Sequence, residues 1–460
     1  MMKTFAFLCA FLCALCVAVG DDPSVQPANV DGPSSFVLRP SYLGETATAV
    51  SPYGVCSHLT WQEFPARKKT FALCSVSGIG IVRCDFPWPD HERKRGEWDF
   101  AKTDTIVAGA KAAGVAILPI FHYWHGGYPR DFGDLGPWSR HMKRVAAHYA
   151  EDISVYEIWN EQNLFQQDHV GNPTNYLAVL KAASEAIREC APRTRVAIGG
   201  FSGVPLPYIE DLYRLGAGAF FDIMNVHPYC FPDRPEGHLD RQLEDLRALM
   251  AKYGDAGKPI WITEFGSPTN ERKPGMGTGE GYKWEYDTGV DEATAARYLS
   301  RALGIAFAEG VETFFHYELR DREHDRYNRE AYFGLCRNDF TPKPAFSAYA
   351  AFLSMRPAGS TQKSDRPWHD EGRTLFFPQW RRPADADALR ETDVRGPLGV
   401  DAGMAWALGG RRSMRVRFTS NAMRFFDHLG KEIWPVAAGD GAYELDVSDN
   451  PIYFVGGELR

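Results

Sequence analysis

The sequence predicts an α/β chain built as a (β/α)8 TIM barrel followed by a C-terminal antiparallel β-sandwich. Three observations carry this. Between residues 36 and 355, short β-like apolar runs alternate with amphipathic helical stretches, the mark of βαβ units around a parallel sheet. The units number eight, the count that closes a barrel. Past Pro357 the helical period stops, and short alternating runs with Gly-rich turns take over, as in a sandwich. A doubly wound open sheet is the rival, but no Gly-x-Gly-x-x-Gly follows the first strands.

In chain order, the first element is a leader over residues 1–20. Met1-Met2-Lys3-Thr4 is followed by an apolar run from Phe5 to Val19, and small residues at Ala18 and Gly20 precede a cleavage point at Asp21. This reads as a secretory signal peptide. The run is short for a membrane span, which needs ~20 residues. The expected localisation is secreted or periplasmic, with no membrane span after cleavage. Tyr42–Val50 is a weak candidate for the first strand and Trp61–Val76 for the helix after it. The other seven runs are Gly80–Asp85, Val115–His122, Ser154–Trp159, Arg195–Gly200, Phe221–Val226, Pro259–Thr263 and Val311–Tyr317. Between the seventh and eighth lies a long loop, Gly266–Asp291, with six glycines, two prolines and Trp284. A loop of that length suits a rim beside an active site. Its glycines are not a phosphate cradle, because the Gly-Lys-Ser/Thr ending is missing. A linker at Arg356–Asp365 leads to the sandwich, 366–460, with strand-like runs at Met414–Phe418, Tyr443–Val447 and Ile452–Val455.

Composition narrows the function. Apolar residues make up 44% and charged residues 24%, ample for a large core. Lys plus Arg number 51 and Asp plus Glu 59, a net charge of −8, which argues against a nucleic-acid partner. Aromatics reach 13% with 12 Trp, a surplus that suits stacking against sugar rings. Three of nine cysteines lie in the leader. The other six (Cys56, Cys74, Cys84, Cys190, Cys230 and Cys336) have no Cys-x-x-Cys pair and no zinc spacing, and read mainly as buried thiols. No feature sets an oligomeric state.

In a barrel, catalytic groups sit where strands end. The fourth run ends in Glu157-Ile158-Trp159-Asn160-Glu161, the seventh in Trp261-Ile262-Thr263-Glu264. Glu161 and Glu264 are 264 − 161 = 103 residues apart, three βα units, which puts them across the mouth from each other. Two facing carboxyls are what glycosidic cleavage requires. One protonates the leaving oxygen; the other, ionised, attacks the anomeric carbon or activates water.

The flanking residues carry a resemblance. Trp159-Asn160-Glu161 and Trp261-Ile262-Thr263-Glu264 look like glycoside hydrolase clan A. More narrowly, the chain resembles glycoside hydrolase family 39 and related secreted polysaccharide hydrolases. Supporting matches are Val82-Arg83-Cys84-Asp85-Phe86-Pro87-Trp88, Val226-His227-Pro228-Tyr229 and Pro451-Ile452-Tyr453-Phe454. The resemblance implies a retaining mechanism on an oligosaccharide or polysaccharide, with Glu161 as acid/base, Glu264 as nucleophile and Asn160 on the sugar 2-hydroxyl. Arg83 and Tyr229 are placed to donate to Glu264, and His122 and His227 to hold sugar hydroxyls or orient carboxylates. Trp88, Trp124 and Trp284 are candidate stacking platforms. Many clan members carry a tryptophan on the eighth strand. Aligning Phe314-Phe315-His316-Tyr317-Glu318 with it puts His316 there, a more polar platform.

Two other classes are weaker. A non-catalytic sugar-binding barrel needs one glutamate lost, and both are present. A metal-dependent hydrolase using His122, His125 and His227 needs a carboxylate ligand set and usually a His-x-His on the first strand, which is not seen. Neither metal nor cofactor is called for, since proton transfer and covalent attack by two glutamates need no cation. Turnover is therefore expected to survive exhaustive dialysis against a chelator. Loss of turnover there, restored by a divalent ion, would favour the metal hydrolase.

Overall fold

The computed structural model describes residues 51–460 apart from 123, 165–169, 275–288, 323–324, 364–366, 384–398, 419–422, 440 and 460. The expected signal peptide, residues 42–50 and Trp284 thus lie outside the described residues. Eight parallel strands close a barrel: β1 (Tyr53–Cys56), β2 (Ile81–Asp85) and, beyond a small hairpin of β3 (Glu92–Lys94) and β4 (Glu97–Trp98), β5 (Ala116–Phe121), β6 (Val155–Asn160), β7 (Arg195–Ser202), β8 (Met224–His227), β9 (Ile260–Ile262) and β10 (Thr313–His316). β1 closes the ring by pairing with both β2 and β10. The first strand therefore begins at Tyr53, downstream of the expected Tyr42–Val50. A helix follows every barrel strand: Phe64–Ser77, Ala101–Ala112, Gly136–His148, Pro173–Cys190, Leu206–Arg214, Leu239–Lys252, Glu292–Ala308 and Pro344–Met355.

Side chains alternate across a strand, and that alternation builds the barrel interior. Cys56, Ile81, Leu118, Val155, Ala197, Ile223, Trp261 and Phe315, one from each strand or its edge, form a closed apolar cluster. At Gly54 the Phe315 ring fills the space a Cβ would occupy. Two residues further along four of these strands the inward position is polar: Arg83, Glu157, Asn225 and Thr263, all buried. The barrel thus changes from an apolar floor to a polar layer within one repeat of the alternation, at the end where the strands deliver their loops.

The C-terminal strands form two antiparallel sheets. They are β11 (Thr361–Gln362), β12 (Leu375–Phe376), β13 (Gln379–Arg381), β14 (Asp401–Ala407), β15 (Arg412–Phe418), β16 (Arg424–Asp427), β17 (Glu432–Ile433), β18 (Val436–Gly439), β19 (Ala442–Val447), β20 (Ile452–Val455) and β21 (Gly457–Leu459). The larger sheet runs β11-β13-β14-β20-β16-β17, with β12 also on β14; the smaller runs β18-β19-β15-β21. All six described cysteines are free thiols. No helix among the described residues is long and apolar enough to cross a membrane.

Sandwich and barrel share a core through the helix Glu292–Ala308. Eleven of its seventeen residues are buried, because the barrel takes one face and β14 the other. At Gly304 an added Cβ would run into Met404 and Trp406, so glycine is what allows β14 to approach. Below it lies a buried ion pair, Arg301 Nε to Glu236 Oε1 at 2.9 Å, and Trp406 Nε1 donates to the same oxygen at 2.7 Å. Removing one partner of a buried pair strands the other charge at a cost of about 3–5 kcal/mol. Arg301→Leu is expected to lower the unfolding free energy by about 3 kcal/mol, with most of the loss recovered in Arg301→Leu/Glu236→Leu. Calorimetric or denaturant unfolding checks this, and a single variant as stable as the parent would refute it.

Candidate active site

The site is assembled from the polar layer and the strand ends above it. Arg83 lies at its centre. Its Nε donates to Glu157 Oε2 (2.7 Å) and its Nη2 to Glu157 Oε1 (2.9 Å), a bidentate fork; Nη1 donates to Glu264 Oε1 (2.5 Å), and Nη2 also to Asn160 Oδ1 (2.8 Å). Burial works against a charged guanidinium, but Glu157 and Glu264 outweigh it, so Arg83 stays a permanent cation. One positive charge is thus shared by two buried carboxylates.

Glu161 reaches the mouth through an irregular backbone. Strict alternation from Val155 and Glu157 would turn Trp159 inward. Instead Trp159 (φ 79°) and Glu161 (φ 46°) adopt the left-handed conformation, which costs non-glycine residues roughly 1–3 kcal/mol each. Trp159 then packs outward, edge-on to Trp138, while Asn160 and Glu161 both serve the mouth. The Glu161 amide is fixed by the Gly200 carbonyl at 2.8 Å. Opposite, β9 ends at Ile262, and Thr263 and Glu264 follow in succession.

Between the two glutamates lies His227. Its Nδ1 is 3.1 Å from Glu161 Oε1 and 3.7 Å from Glu264 Oε2. The missing side chain of Gly200 makes room for the ring, which a Cβ there would strike. The Thr263 hydroxyl donates to Asn225 Oδ1 (2.9 Å) and lies 3.0 Å from His227 Nε2, so the ring is held by Thr263 on one side and faces Glu161 on the other.

Glu264 lies among donors. Burial alone would raise its pKa, but His227 and Arg83 and the hydrogen bonds from Tyr229 (Oη to Oε2, 2.9 Å) and Arg83 overcome this and hold the carboxyl below the ordinary range. Burial lifts the Tyr229 phenol well above its usual value, so it stays a donor.

A second polar array borders the mouth. Asp85 accepts from His122 Nε2 (2.8 Å) and pairs with His58 Nδ1 (2.7 Å). Burial would raise Asp85, but the two imidazoles reverse the sign and hold it far below the carboxylate norm. His58 is covered by the stacked indole of Trp61 (4.7 Å, 18°), which is 57% exposed.

Of the residues read from sequence, Arg83, Asn160, Glu161, His227, Tyr229 and Glu264 meet in one cluster, and His122 lies in the bordering array on Asp85. His316 does not. Phe315 points into the barrel, so His316 faces outward, where its Nε2 meets the Phe333 carbonyl at 3.0 Å; burial drops its pKa to about 4. The residue that turns toward the mouth at the end of β10 is Tyr317, held by Arg322 Nη2 (2.8 Å). Trp88 is likewise no platform, being 1% exposed and stacked on His141. Trp124 is partly buried, with Nε1 donating to the Tyr128 carbonyl. Sequence reading missed Glu157, His58, Asn225 and Trp61. Spacing could have found the first and third, since each lies two residues beyond an apolar inward position.

Among the described residues, Glu161, His227 and Glu264 are the one group whose donor atoms, within 4.8 Å of one another, could hold a cation. Such an ion would compete with Arg83 and Tyr229 for Glu264.

The barrel with a facing carboxyl pair defines the class: a glycoside hydrolase with the clan A fold. The family model for cellulase (glycosyl hydrolase family 5) matches residues 43–300, more than half of the chain, and the chain belongs to that family. A β-xylosidase from Geobacillus stearothermophilus is 23% identical over 264 residues, 51% of this chain and 49% of that protein, so the chain spans about half the length of the curated relative it matches. Among solved structures, a family 39 glycoside hydrolase from Bacteroides cellulosilyticus WH2 superposes with a TM-score of 0.69 at 20% identity, covering 88% of this chain and 80% of that one. A family 39 β-xylosidase from Caulobacter crescentus gives 0.59 at 14% (88% and 96%), and a family 30 endoxylanase from Clostridium papyrosolvens C71 gives 0.59 at 12% (89% and 97%). At these identities the likeness is one of fold, and it extends over barrel and sandwich alike.

Because donors to the carboxylate hold Glu264 low, removing one raises its pKa, and a higher pH is then needed to ionise it. A hydrogen bond to a charged group is worth roughly 1.5–3 kcal/mol, and 1.36 kcal/mol is one pKa unit. Tyr229→Phe is expected to move the acid limb of the kcat/KM profile upward by about one pH unit. An unmoved or lowered acid limb would contradict this account of Glu264.

Proposed function

We propose that the protein is an exported, retaining glycosidase that cleaves neutral, β-linked oligo- or polysaccharides by double displacement. The observation that carries this is the carboxyl pair: oxygens of Glu161 and Glu264 lie within 4.8 Å, and the neighbours of Glu264 hold it ionised. Retaining enzymes hold the two carboxyls ~5–5.5 Å apart, whereas inverting ones leave ~6.5–9.5 Å for a water. Glu264, ionised against Arg83 and Tyr229, attacks the anomeric carbon. Glu161, 3.1 Å from His227 Nδ1, protonates the departing oxygen. The glycosyl–Glu264 ester is then opened by water that Glu161 deprotonates, which returns the proton to Glu161. Arg83 balances the charge on Glu264 as the ester forms and breaks. Asn160, fixed by Arg83, binds the sugar 2-hydroxyl.

The substrate class follows from charge and from kinship. Around the mouth, the guanidinium groups of Arg83 and Arg322 are already paired with Glu157, Glu264 and Glu318, so acidic sugars are disfavoured. The matched family is named for cellulase, the curated relative is a β-xylosidase, and similar structures are β-xylosidases and an endoxylanase. These names support a xylan- or glucan-type chain. The half-exposed Trp61 beside His58 offers a stacking face for a ring next to the one being cleaved. The apolar leader supports export.

The two glutamates are separable by what each variant leaves behind. Glu161→Ala removes the proton donor, worth roughly 10²–10⁴-fold, mainly on poor leaving groups. An aryl glycoside with an acidic phenol should still form the intermediate. Added azide should speed its breakdown and give a glycosyl azide of retained configuration. With Glu264→Ala, any azide product should be inverted. Products the other way round would swap the roles, and wild-type activity in both variants would sink the mechanism.

A further inference from the structure

Far along the chain from the catalytic cluster, the most exposed large apolar side chain among the described residues is Trp434, at 85%. The other described tryptophans on sandwich strands, Trp380 and Trp406, are 1% and 0% exposed, so an indole left in water there is an exception. Trp434 and Pro435 form the step between β17 and β18, where the chain leaves the larger sheet for the smaller. Two residues on, Val436 is 74% exposed and starts the edge strand β18. From that edge a row runs across the sheet in register: Val436 pairs with Glu444, and Glu444 with Arg415. Glu444 and Arg415 are both exposed. The row therefore runs from an apolar edge residue to a carboxylate and a guanidinium, with Trp434 in the step leading to it.

We propose that this face of the sandwich binds polysaccharide, with Trp434 as the stacking platform. A pyranose ring with equatorial hydroxyls has two C–H faces and a polar rim. The indole matches the face, and Glu444 and Arg415 match the rim. A protein partner fits poorly. A stable interface needs roughly 800 Å² per side, an aromatic side chain supplies about 150–250 Å², and the row beside it is charged. A β-linked chain of xylose or glucose type presents such rings in series, and binding it here would hold the enzyme on insoluble substrate. The choice of ligand, though not the presence of the site, rests on the glycosidase reading above.

The test uses the full chain carrying Glu264→Ala, with soluble oligosaccharide saturating the barrel mouth, mixed with insoluble xylan or insoluble cellulose. The protein fraction removed from solution is measured. Retention on at least one polymer is expected, falling at least fivefold with Trp434→Ala and less than twofold with Trp434→Phe. An unchanged unfolding midpoint of Trp434→Ala establishes that the loss is local. Equal retention of the Trp434→Ala protein, or no retention on either polymer, overturns the proposal. So does a sedimentation coefficient that drops with Trp434→Ala in the absence of polymer, which would assign the face to a second copy of the chain. Aryl glycoside turnover with Glu264 restored reports separately on the catalytic reading.

Discussion

A single guanidinium shared by two buried carboxylates is the constraint around which the barrel mouth is arranged. Arg83 is enclosed and forked onto Glu157, and its remaining reach ends on Glu264 and Asn160. Taking these charges out of water is costly, and the cost is offset only when geometry is good and the remaining lone pairs are satisfied. Here they are: Glu157 also accepts from the Gly200 amide, and Glu264 from Tyr229. The consequence is directional. Glu157 fixes where Arg83 points, Arg83 fixes Glu264 and the Asn160 amide, and the Glu264 carboxyl arrives at the mouth already ionised and oriented.

Much of this architecture was legible in sequence, for identifiable reasons. Parallel strands buried on both faces read as continuous apolar runs, and the residues just after them are where a barrel keeps its chemistry. Glu161 and Glu264 fall there. The same property hid the side-chain direction on β10. Phe314-Phe315-His316-Tyr317 offers no apolar–polar alternation to set the parity, so a shift of one residue put His316 where Tyr317 stands. β14 was invisible for the related reason that every residue from Asp401 to Ala407 is buried and none alternates. Glu157 was in plain view, but one strand and its end carried two glutamates four residues apart, and Glu157 was read only as a flank of Glu161. Nothing in the sequence announced the left-handed turn at Trp159, a residue type that rarely adopts it.

The two acids at the mouth also differ in what surrounds them. Both contact His227, yet their other neighbours differ. Glu264 has a cation and a phenol, both of which favour charge. Glu161 has the imidazole of His227, whose second nitrogen lies against Thr263, and Thr263 in turn donates to Asn225. The position of the ring between the two acids is thus set by side chains behind it in the polar layer.

The helix Glu292–Ala308 carries a wider consequence. Sugar-processing enzymes are often assembled by recombination, as interchangeable catalytic and accessory pieces joined by linkers. Here a break at the linker near residue 356 would uncover the apolar flank of a helix that belongs to both halves, together with Glu236 and Arg301 beneath it. The barrel and its sandwich are expected to be inherited as one block, and their lineages should share a single history. New specificities in this lineage would then come from loops at the mouth rather than from exchange of the second domain.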